Sequence, residues 1–515
     1  HSEAQKDALF EDWKNTKAAE HICKGKPNHF DEIPATSYKD YPVLKEFGEK
    51  IEALEASDPR DKEKESSWEY YQRLSRGLLK MLDGWLPDEF GFPVKTTGTT
   101  GNPKWYVHGK TADEIAQRNI IALFVMACAD KSGTTKLRPS DRLMGLVGPA
   151  PYMGGMGVRG IIKQGFTPIP ELKTIDNVSD MRRRMMMTLK MIEKEGGVDA
   201  IGGIGVSLQT ACRYFTDPVG LFKDNYQSMN FGIIKIIMYL MYLYKRMSGN
   251  KYEAVQDVLH TKGMVVSGFD PEMYVNYLIE NFEVNPFNVY GSSECCISFL
   301  GRPERFIDLI PALNASYFEF LDENGEIKKT NQLEKGKVYE FVLTPFRSVL
   351  IRYKIGDLFR VIDFMDDGMP VLKFESRVDD ILDIHNYYRM TTALANKIMI
   401  SAGLSANDKW AFLKEIEPED HLVLLMEKEW DYSEKEASKR VFDVMLENDE
   451  FFNNYVKDYR IQDHWKVIKV EYLSKGAFMR YVLFKIKQGS EMGQMKPTKV
   501  IGPQQKEIAD LLRKI

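Results

Sequence analysis

Residues Lys95–Lys104 read KTTGTTGNPK, a run with four threonines and two glycines. Its glycines let the backbone curl until several N–H groups converge on one anion, and its threonine hydroxyls add donors. Lys104 can add a full positive charge to bound phosphates. The G-x-x-x-x-G-K-[ST] spacing of a Walker loop is absent. The run therefore predicts a phosphate-binding loop of another kind; a flexible Gly/Thr turn is the simpler alternative, and the length of the run disfavours it.

Two further runs follow in order along the chain. Residues Tyr290–Glu294 read YGSSE after a β-type stretch, and a carboxylate beside a triphosphate is a natural Mg²⁺ ligand. Residues Arg352–Asp357 read RYKIGD in a β-rich region, where an ionised carboxylate can accept hydrogen bonds from the vicinal hydroxyls of a ribose. Taken singly, each run is also compatible with an ordinary turn, and their agreement counts for more than either.

Together the three runs resemble the acyl-adenylating superfamily, which holds acyl-CoA synthetases, luciferases and the adenylation domains of peptide synthetases. The resemblance implies that Tyr290 lies near the adenine, that Glu294 holds Mg²⁺ and that Asp357 binds the ribose. Arg377, in the run FESRVDD, would also approach the ribose. The implied ATP- and AMP-binding residues are Thr96, Thr97, Gly98, Thr99, Thr100, Gly101, Lys104, Tyr290, Gly291, Ser292, Ser293, Asp357 and Arg377.

The end of the chain points to one branch of that superfamily. The runs KGAFMRY (475–481) and GSEMGQMKP (489–497) resemble the C-terminal end of the auxin-responsive acyl-acid amido synthetases, as does MPVLKFESR upstream. On that match Lys496 is the candidate catalytic lysine, beside Lys104 and Glu294. A solvated lysine before a proline is an equal alternative on pattern alone.

A second branch, the phenylacetate–CoA ligases, has a hinge region that reads similarly to RVDDILDI here. The usual glycine after the hinge strand is replaced by Asn386-Tyr387-Tyr388. We place a hinge close to Asp379, with Asp379 or Asp380 as the pivot; a salt-bridged surface pair is the alternative for these aspartates. Rotation of the C-terminal part about Asp379 would exchange catalytic faces between two half-reactions.

The implied reaction is ATP-dependent formation of an acyl-AMP from a carboxylic acid, followed by acyl transfer to an amine. The alternatives are transfer to coenzyme A, which makes CoA a co-substrate, and a non-catalytic nucleotide-binding relative. The cofactors are ATP and Mg²⁺. Glycine-rich apolar stretches predict a pocket for a hydrophobic or aromatic acid. Its candidate residues are Tyr152, Gly154, Gly155 and Gly205, although loop glycines packed against a sheet would look the same.

The order of elements predicts an α/β fold. Short apolar β-type runs alternate with helical stretches from residue 94, and a β-rich region covers 314–375. We expect a large N-terminal α/β domain with buried sheets and a β-rich subdomain (1–379) and a smaller, mobile α+β domain (380–515). The apolar run FGIIKIIMYLMYLYKRM (231–247) is too short and too interrupted to span a bilayer, which favours a core helix or a pocket-lining helix.

Composition excludes several classes of protein. Hydrophobic residues make up 43% and charged residues 28%, as in soluble globular proteins, and a net charge of −5 gives no reason to expect nucleic acid or an anionic membrane as the main partner. The 5 cysteines include no C-x-x-C pair, which favours a reduced environment without structural zinc. With a polar opening stretch, we expect a cytoplasmic protein whose partners are small molecules.

Overall fold

The structure is a computed structural model. It describes residues 2–96, 103–178, 181–227, 233–249, 252–268, 272–385, 387–404, 409–417, 419–428, 430–487 and 499–514.

The helices fall into an N-terminal group, a group that alternates with strands, and a C-terminal group. They are α1 Ser2–Trp13, α2 Lys17–Cys23, α3 Pro42–Ser57, α4 Ser67–Arg76, α5 Leu79–Leu82, α6 Lys110–Ala127, α7 Met153–Lys163, α8 Leu172–Asn177, α9 Met181–Glu195, α10 Gly205–Thr216, α11 Pro218–Gln227, α12 Ile233–Ser248, α13 Gln256–Leu259, α14 Glu272–Phe282, α15 Thr392–Ser401, α16 Glu434–Asn448, α17 Glu450–Asp458, α18 Ala477–Lys487 and α19 Lys506–Lys514.

The strands of the described residues build one large sheet and three smaller ones. They are β1 Phe90–Lys95, β2 Trp105–Gly109, β3 Arg142–Gly145, β4 Thr167–Ile169, β5 Ala200–Ile204, β6 Gly263–Ser267, β7 Pro286–Ser292, β8 Cys296–Arg302, β9 Arg305–Pro311, β10 Ser316–Leu321, β11 Ile327–Lys329, β12 Val338–Pro345, β13 Tyr353–Phe364, β14 Pro370–Arg377, β15 Leu382–Ile384, β16 Tyr388–Met390, β17 Trp410–Glu415, β18 His421–Glu427, β19 Ile468–Leu473 and β20 Val500–Ile501.

The large sheet has 12 strands in the order β11-β10-β12-β13-β14-β9-β8-β7-β6-β5-β3-β4. Strands β3 to β7 pair in parallel and the others antiparallel. The β-rich half joins the parallel half through the pair Leu372↔Leu309, so it continues the sheet instead of forming a separate one. The parallel strands are flanked by helices, as buried parallel strands must be. The α/β prediction is confirmed.

A short hairpin stands apart from this sheet. Strands β1 and β2 pair antiparallel with Lys95 opposite Trp105, and the run 96–104 is the connection between them. Trp105 is buried in a cluster with helices α3 and α4. This packing anchors the base of the connection to the N-terminal helices.

The C-terminal part has its own sheet, in the order β19-β18-β17-β20. Two hydrophobic clusters there draw their buried residues from 382 to 512, whereas the clusters of the preceding part end at Leu372. The predicted domain boundary at 379/380 falls between these groups and stays a prediction.

Helix α12 differs from expectation. The run was expected to be a core or pocket-lining helix, but Leu240 is 57% exposed, Tyr244 69% and Met247 88%. The helix is as apolar as a core helix, yet in the described structure it packs mainly against α11. Among the described residues, no helix has both the length and the apolarity needed to cross a membrane.

Candidate active site

A cavity of about 970 Å³ opens where β3, β5, β6 and β7 end. In open α/β sheets, ligands bind at the carboxyl ends of the parallel strands. Its lining includes both charged or polar side chains and apolar ones. The predicted site residues that line it are Thr96, Lys104, Gly154, Tyr290, Gly291, Ser292, Ser293, Glu294, Asp357, Arg377 and Asp379.

The phosphate-loop run is closed at its base by reciprocal hydrogen bonds. The backbone N–H of Thr96 donates to the carbonyl of Lys104, and the Lys104 N–H donates to Thr96 Oγ1, both at 2.8 Å. The Lys104 ammonium lies 5.4 Å from the Tyr38 ring centroid, a cation–π contact. Lys104 is therefore held at the cavity wall. The intervening residues Thr97, Gly98, Thr99, Thr100 and Gly101 lie outside the described residues.

The YGSSE run forms the end of β7 and the turn into β8. A side chain at Gly291 would meet the Cys296 carbonyl, with a Cβ only 2.3 Å from that oxygen. Only glycine lets the two backbones approach so closely. This tight turn brings Glu294 back to the cavity wall.

Glu294 is held from outside the run. Burial raises its pKa, and a hydrogen bond from the Tyr106 hydroxyl opposes that rise. The Tyr106 hydroxyl in turn lies 2.9 Å from the Tyr353 hydroxyl. Two tyrosines from β2 and β13 thus form a polar relay behind the carboxylate.

His108 supports the same turn. It is buried and stacked on Phe92 at 4.9 Å, and its Nε2 lies 2.8 Å from the Ser293 carbonyl. Because burial lowers the pKa of His108 to about 4, the ring is neutral near pH 7, and Nε2 carries the proton that it donates. His108 therefore fixes the backbone beside Glu294 without adding charge.

Asp357 connects the second and third runs. Tyr290 donates a hydrogen bond of 2.5 Å to Asp357 Oδ2, and Arg377 Nε lies 3.0 Å from Oδ1. Asp357 and Arg377 are paired across β13 and β14. Burial and the Asp357 carboxylate raise the pKa of Tyr290, so its hydroxyl stays a donor.

An apolar part of the cavity lining comes from α6 and α7 and from the ends of β3 and β5, and it includes Ile120, Phe124, Leu146 and Val158. A Cβ at Gly203 would lie 3.3 Å from Leu146, so the missing side chains of the wall glycines keep this space open. This apolar part of the lining could contact an uncharged, hydrophobic group.

The other candidate acid-pocket residues lie beside the cavity and do not line it. Tyr152 is the residue that precedes α7. A Cβ at Gly155 would meet the Ala150 nitrogen at 2.3 Å, and a Cβ at Gly205 would meet the Tyr274 ring at 2.4 Å. These two glycines serve close packing, which is the alternative that the sequence left open.

The candidate hinge touches the C-terminal part. Asp379 lines the cavity, while Gln505 donates to Asp380 Oδ1 at 2.9 Å. Burial raises the pKa of Asp380 to about 6, because Arg377 and Gln505 only partly compensate for it. Lys496, the candidate catalytic lysine, lies outside the described residues.

The comparisons with known proteins agree with this architecture. Residues 309–377 match the model of the GH3 family central domain, a segment that includes Asp357 and Arg377. The AtGH3.15 acyl acid amido synthetase in complex with 2,4-DB superposes with a TM-score of 0.67 at 14% identity, covering 100% of this chain and 93% of that chain. The chain has the acyl acid amido synthetase fold.

Two further structures extend the comparison. The GH3.15 acyl acid amido synthetase gives a TM-score of 0.64 at 15% identity over 99% of this chain and 93% of that chain. A 2-hydroxyisobutyryl-CoA ligase in the postadenylation state with 2-HIB-AMP gives 0.53 at 12% identity over 100% and 93%. No curated protein matches the sequence. The resemblance to the adenylate-forming superfamily is confirmed at the level of fold.

Within this acyl acid amido synthetase fold, sequence reasoning missed three residues beside the candidate site: Tyr106, His108 and Tyr353. Tyr106 and His108 alternate along β2, which places both on the face that meets Glu294 and Ser293. The sequence contained a signal for Tyr106 and His108. Polar residues two positions apart in a strand share one face, and this strand directly follows the phosphate-loop run.

Proposed function

We propose that this protein is an ATP-dependent, AMP-forming ligase that adenylates a hydrophobic carboxylic acid and transfers the acyl group to an amine. The observation that carries the proposal is one cavity that both polar and apolar residues line. Thr96, Lys104, Glu294, Asp357 and Arg377 contribute polar groups to its lining, and residues of α6, α7, β3 and β5 contribute apolar ones. A nucleotide and an apolar acid could thus meet within a single cavity.

The nucleotide would be held by three groups of residues. Lys104 and the loop that begins at Thr96 would hold the β- and γ-phosphates. Asp357 would accept hydrogen bonds from the ribose hydroxyls, with Arg377 fixing its orientation at 3.0 Å. Tyr290, whose hydroxyl is committed to Asp357, would present its ring toward the adenine.

For the adenylation step, the protein would contribute positioning and charge stabilisation rather than covalent catalysis. An oxygen of the acid carboxylate forms a bond to the α-phosphorus, and the bond to the bridging oxygen of pyrophosphate breaks. Lys104 would stabilise charge that builds on the leaving pyrophosphate. Lys496 is proposed to stabilise the attacking carboxylate.

Glu294 is suited to hold Mg²⁺ together with phosphate oxygens. Among the residues that the structure describes, no group of three or more His, Cys, Asp or Glu side chains could hold a metal ion alone. Mg²⁺ in nucleotide sites is commonly bound by one or two carboxylates, substrate phosphates and water, so a lone glutamate fits this need. When bound, the ion would neutralise phosphate charge. Glu294 must be ionised for this role, although burial raises its pKa.

The acceptor is proposed to be an amine. The amide-forming fold relatives superpose with higher TM-scores than the CoA ligase, and the central-domain match is to the same family. Coenzyme A is the alternative acceptor, because the CoA ligase shares the fold over the whole chain. A non-catalytic nucleotide-binding relative is the second alternative. The cytoplasmic location and the mobile C-terminal domain (380–515) stay predictions.

The first experiment is ATP–pyrophosphate exchange with Mg²⁺ across a panel of aliphatic, alicyclic and aromatic acids. We expect acid-dependent exchange that collapses in Glu294→Ala and in Lys104→Ala. Lys110→Ala is the matched control, since Lys110 is an exposed lysine at the other end of β2 and outside the cavity lining. ATP binding without exchange for any acid would favour the non-catalytic alternative.

The second experiment separates the acceptors. An acid that supports exchange is incubated with ATP and either an amino acid mixture or coenzyme A, and products are separated by mass. An acyl amide is the expected product. An acyl-CoA thioester, with no amide, would replace the amine proposal by its CoA alternative.

A further inference from the structure

Helix α12, Ile233–Ser248, presents an apolar face to solvent. Ile237 is 51% exposed and Leu240 57%, and Tyr244 and Met247 follow at the same helical spacing. Residues that recur three and four positions apart lie on one face of a helix. A protein rarely exposes such a contiguous apolar surface unless another surface covers it.

The charges of α12 indicate what covers this face. Its sequence, IIKIIMYLMYLYKRMS, contains Lys235, Lys245 and Arg246 and no acidic residue, whereas the whole chain has a net charge of −5. Lys235 lies in the first turn, and Lys245 and Arg246 lie in the last. Long basic side chains at the ends of an apolar helix can reach lipid headgroups while the apolar face enters the acyl region.

From this combination, we infer that α12 binds the surface of an anionic membrane with its axis in the plane of the interface. The helix is too short and too interrupted by charge to span a bilayer, as noted above, but a helix that lies on a membrane needs only one apolar face. The tyrosines of α12 suit the interface, where amphipathic rings concentrate. A second copy of this chain is a poorer occupant, because its α12 would bring three more cations and no carboxylate.

If the proposed function holds, membrane binding by α12 would bring the cavity close to a hydrophobic acid in the bilayer. Helix α10 begins directly after Ile204, which lines the cavity, and α10, α11 and α12 follow one another and pack in sequence. A hydrophobic carboxylic acid concentrates in bilayers. The link to substrate rests on the proposed function, whereas membrane binding by α12 does not.

The test uses the full chain and sedimentation with phosphatidylcholine vesicles in which phosphatidylserine replaces about a quarter of the lipid. We expect binding to these vesicles and at least about tenfold weaker binding to pure phosphatidylcholine. Ile237→Gln with Leu240→Gln tests the apolar face, and Lys245→Glu with Arg246→Glu tests the charge. Each pair should weaken binding at least about tenfold. The glutamine pair removes apolar area that would enter the membrane, and each cation near an anionic surface contributes roughly 1 kcal/mol.

Two matched controls separate α12 from general effects. Phe451→Gln removes another exposed apolar side chain, at 78% exposure, from α17. Lys131→Glu reverses an exposed charge in the loop after α6. Both should bind vesicles like the unmodified chain, and all variants should keep the same thermal midpoint, which excludes unfolding as the cause.

Three outcomes would overturn the inference. These are failure to sediment with anionic vesicles, sedimentation that survives both α12 pairs, and a concentration-dependent dimer that Ile237→Gln with Leu240→Gln dissociates. The last would assign the face to a second copy. Acid-dependent pyrophosphate exchange, measured without vesicles on the same samples, reports on the proposed ligase activity separately.

Discussion

The Tyr290 hydroxyl donates a hydrogen bond of 2.5 Å to Asp357 Oδ2, which joins two sequence runs 67 positions apart. The same carboxylate faces Arg377 through its other oxygen. A buried carboxylate with two such partners is fixed in direction. Asp357 is thus oriented before any ribose binds.

Replacing Asp357 by Asn should raise the KM for ATP by about 10- to 100-fold, because a hydrogen bond to a charged group contributes roughly 1.5–3 kcal/mol. Tyr290→Phe, which keeps the ring, should raise it less. The control is Asp363→Asn on the same strand, where Asp363 pairs with Arg305 at the surface. The KM for ATP of each variant is obtained from steady-state pyrophosphate exchange at varied ATP concentration. An unchanged KM in Asp357→Asn would contradict the ribose role.

Tyr106→Phe should move the acidic limb of the pH–activity profile to higher pH. The hydroxyl of Tyr106 lowers the pKa of Glu294, so its loss lets burial raise that pKa further. Since the carboxylate form is proposed to hold Mg²⁺, activity would then be lost earlier as pH falls. The comparison is Tyr353→Phe, which leaves the Tyr106 hydroxyl in place, and exchange measured across pH gives both limbs. Superimposable profiles would show that Tyr106 does not tune Glu294.

The RYKIGD run contains one residue of the candidate site and one residue with a structural role. Its Asp357 lies in the cavity lining, but its Arg352 is buried in an ion pair with Glu319 and donates to the Ile33 carbonyl. The motif therefore mixes a residue of the candidate site with a structural one. Nothing in the run separates them, because Glu319 and Ile33 are brought to Arg352 only by the tertiary fold.

For helix α12, the prediction of a core or pocket-lining helix was wrong. Its apolar run predicted burial, because hydrophobic residues usually lie inside. Whether another element covers a helix depends on packing, which periodicity does not encode. By contrast, the α/β alternation and the order of the three runs reflect local constraints, namely strand period and close backbone turns, and these could be predicted.

Arg352→Met should destabilise the protein by about 3–5 kcal/mol, because it leaves the Glu319 carboxylate buried without its partner. The side chains of this pair are only 6% and 2% exposed. Arg347→Met is a matched control, since Arg347 also has a positive φ, 48° against 43° for Arg352, but its ion pair with Asp12 is exposed. That control should change stability by less than about 1 kcal/mol. Urea unfolding gives both values, and equal losses would show that the buried pair has no special role.

A proline at the proposed hinge, Asp379→Pro, should leave pyrophosphate exchange intact and stop acyl transfer. Proline fixes φ, so a rotation about this residue between half-reactions would be blocked. Asp379→Ala is the control, because it removes the side chain without fixing φ. Product formation by mass, measured beside exchange, separates the two steps. Unchanged transfer in Asp379→Pro would mean that the hinge lies elsewhere or that no rotation occurs.

Asp380→Asn should stabilise the protein above about pH 6 and have little effect below about pH 4. Burial raises the pKa of Asp380 to about 6, above the ordinary value near 4, so the folded state binds this proton more tightly than the unfolded state does. The stabilisation by the bound proton is full below the unfolded pKa and is lost as pH rises through 6. An asparagine avoids that loss and still accepts the hydrogen bond from Gln505. The gain is at most about 3 kcal/mol.

Thermal unfolding across this pH range tests the sign of that effect. Asp363 supplies the opposite case, because ion pairs with Arg305 and Lys335 lower its pKa to about 2. Asp363→Asn should therefore lose stability at neutral pH, where Asp380→Asn gains it. If both variants shifted the midpoint in the same direction at neutral pH, the shift would come from the amide substitution itself, and burial would not destabilise the Asp380 carboxylate.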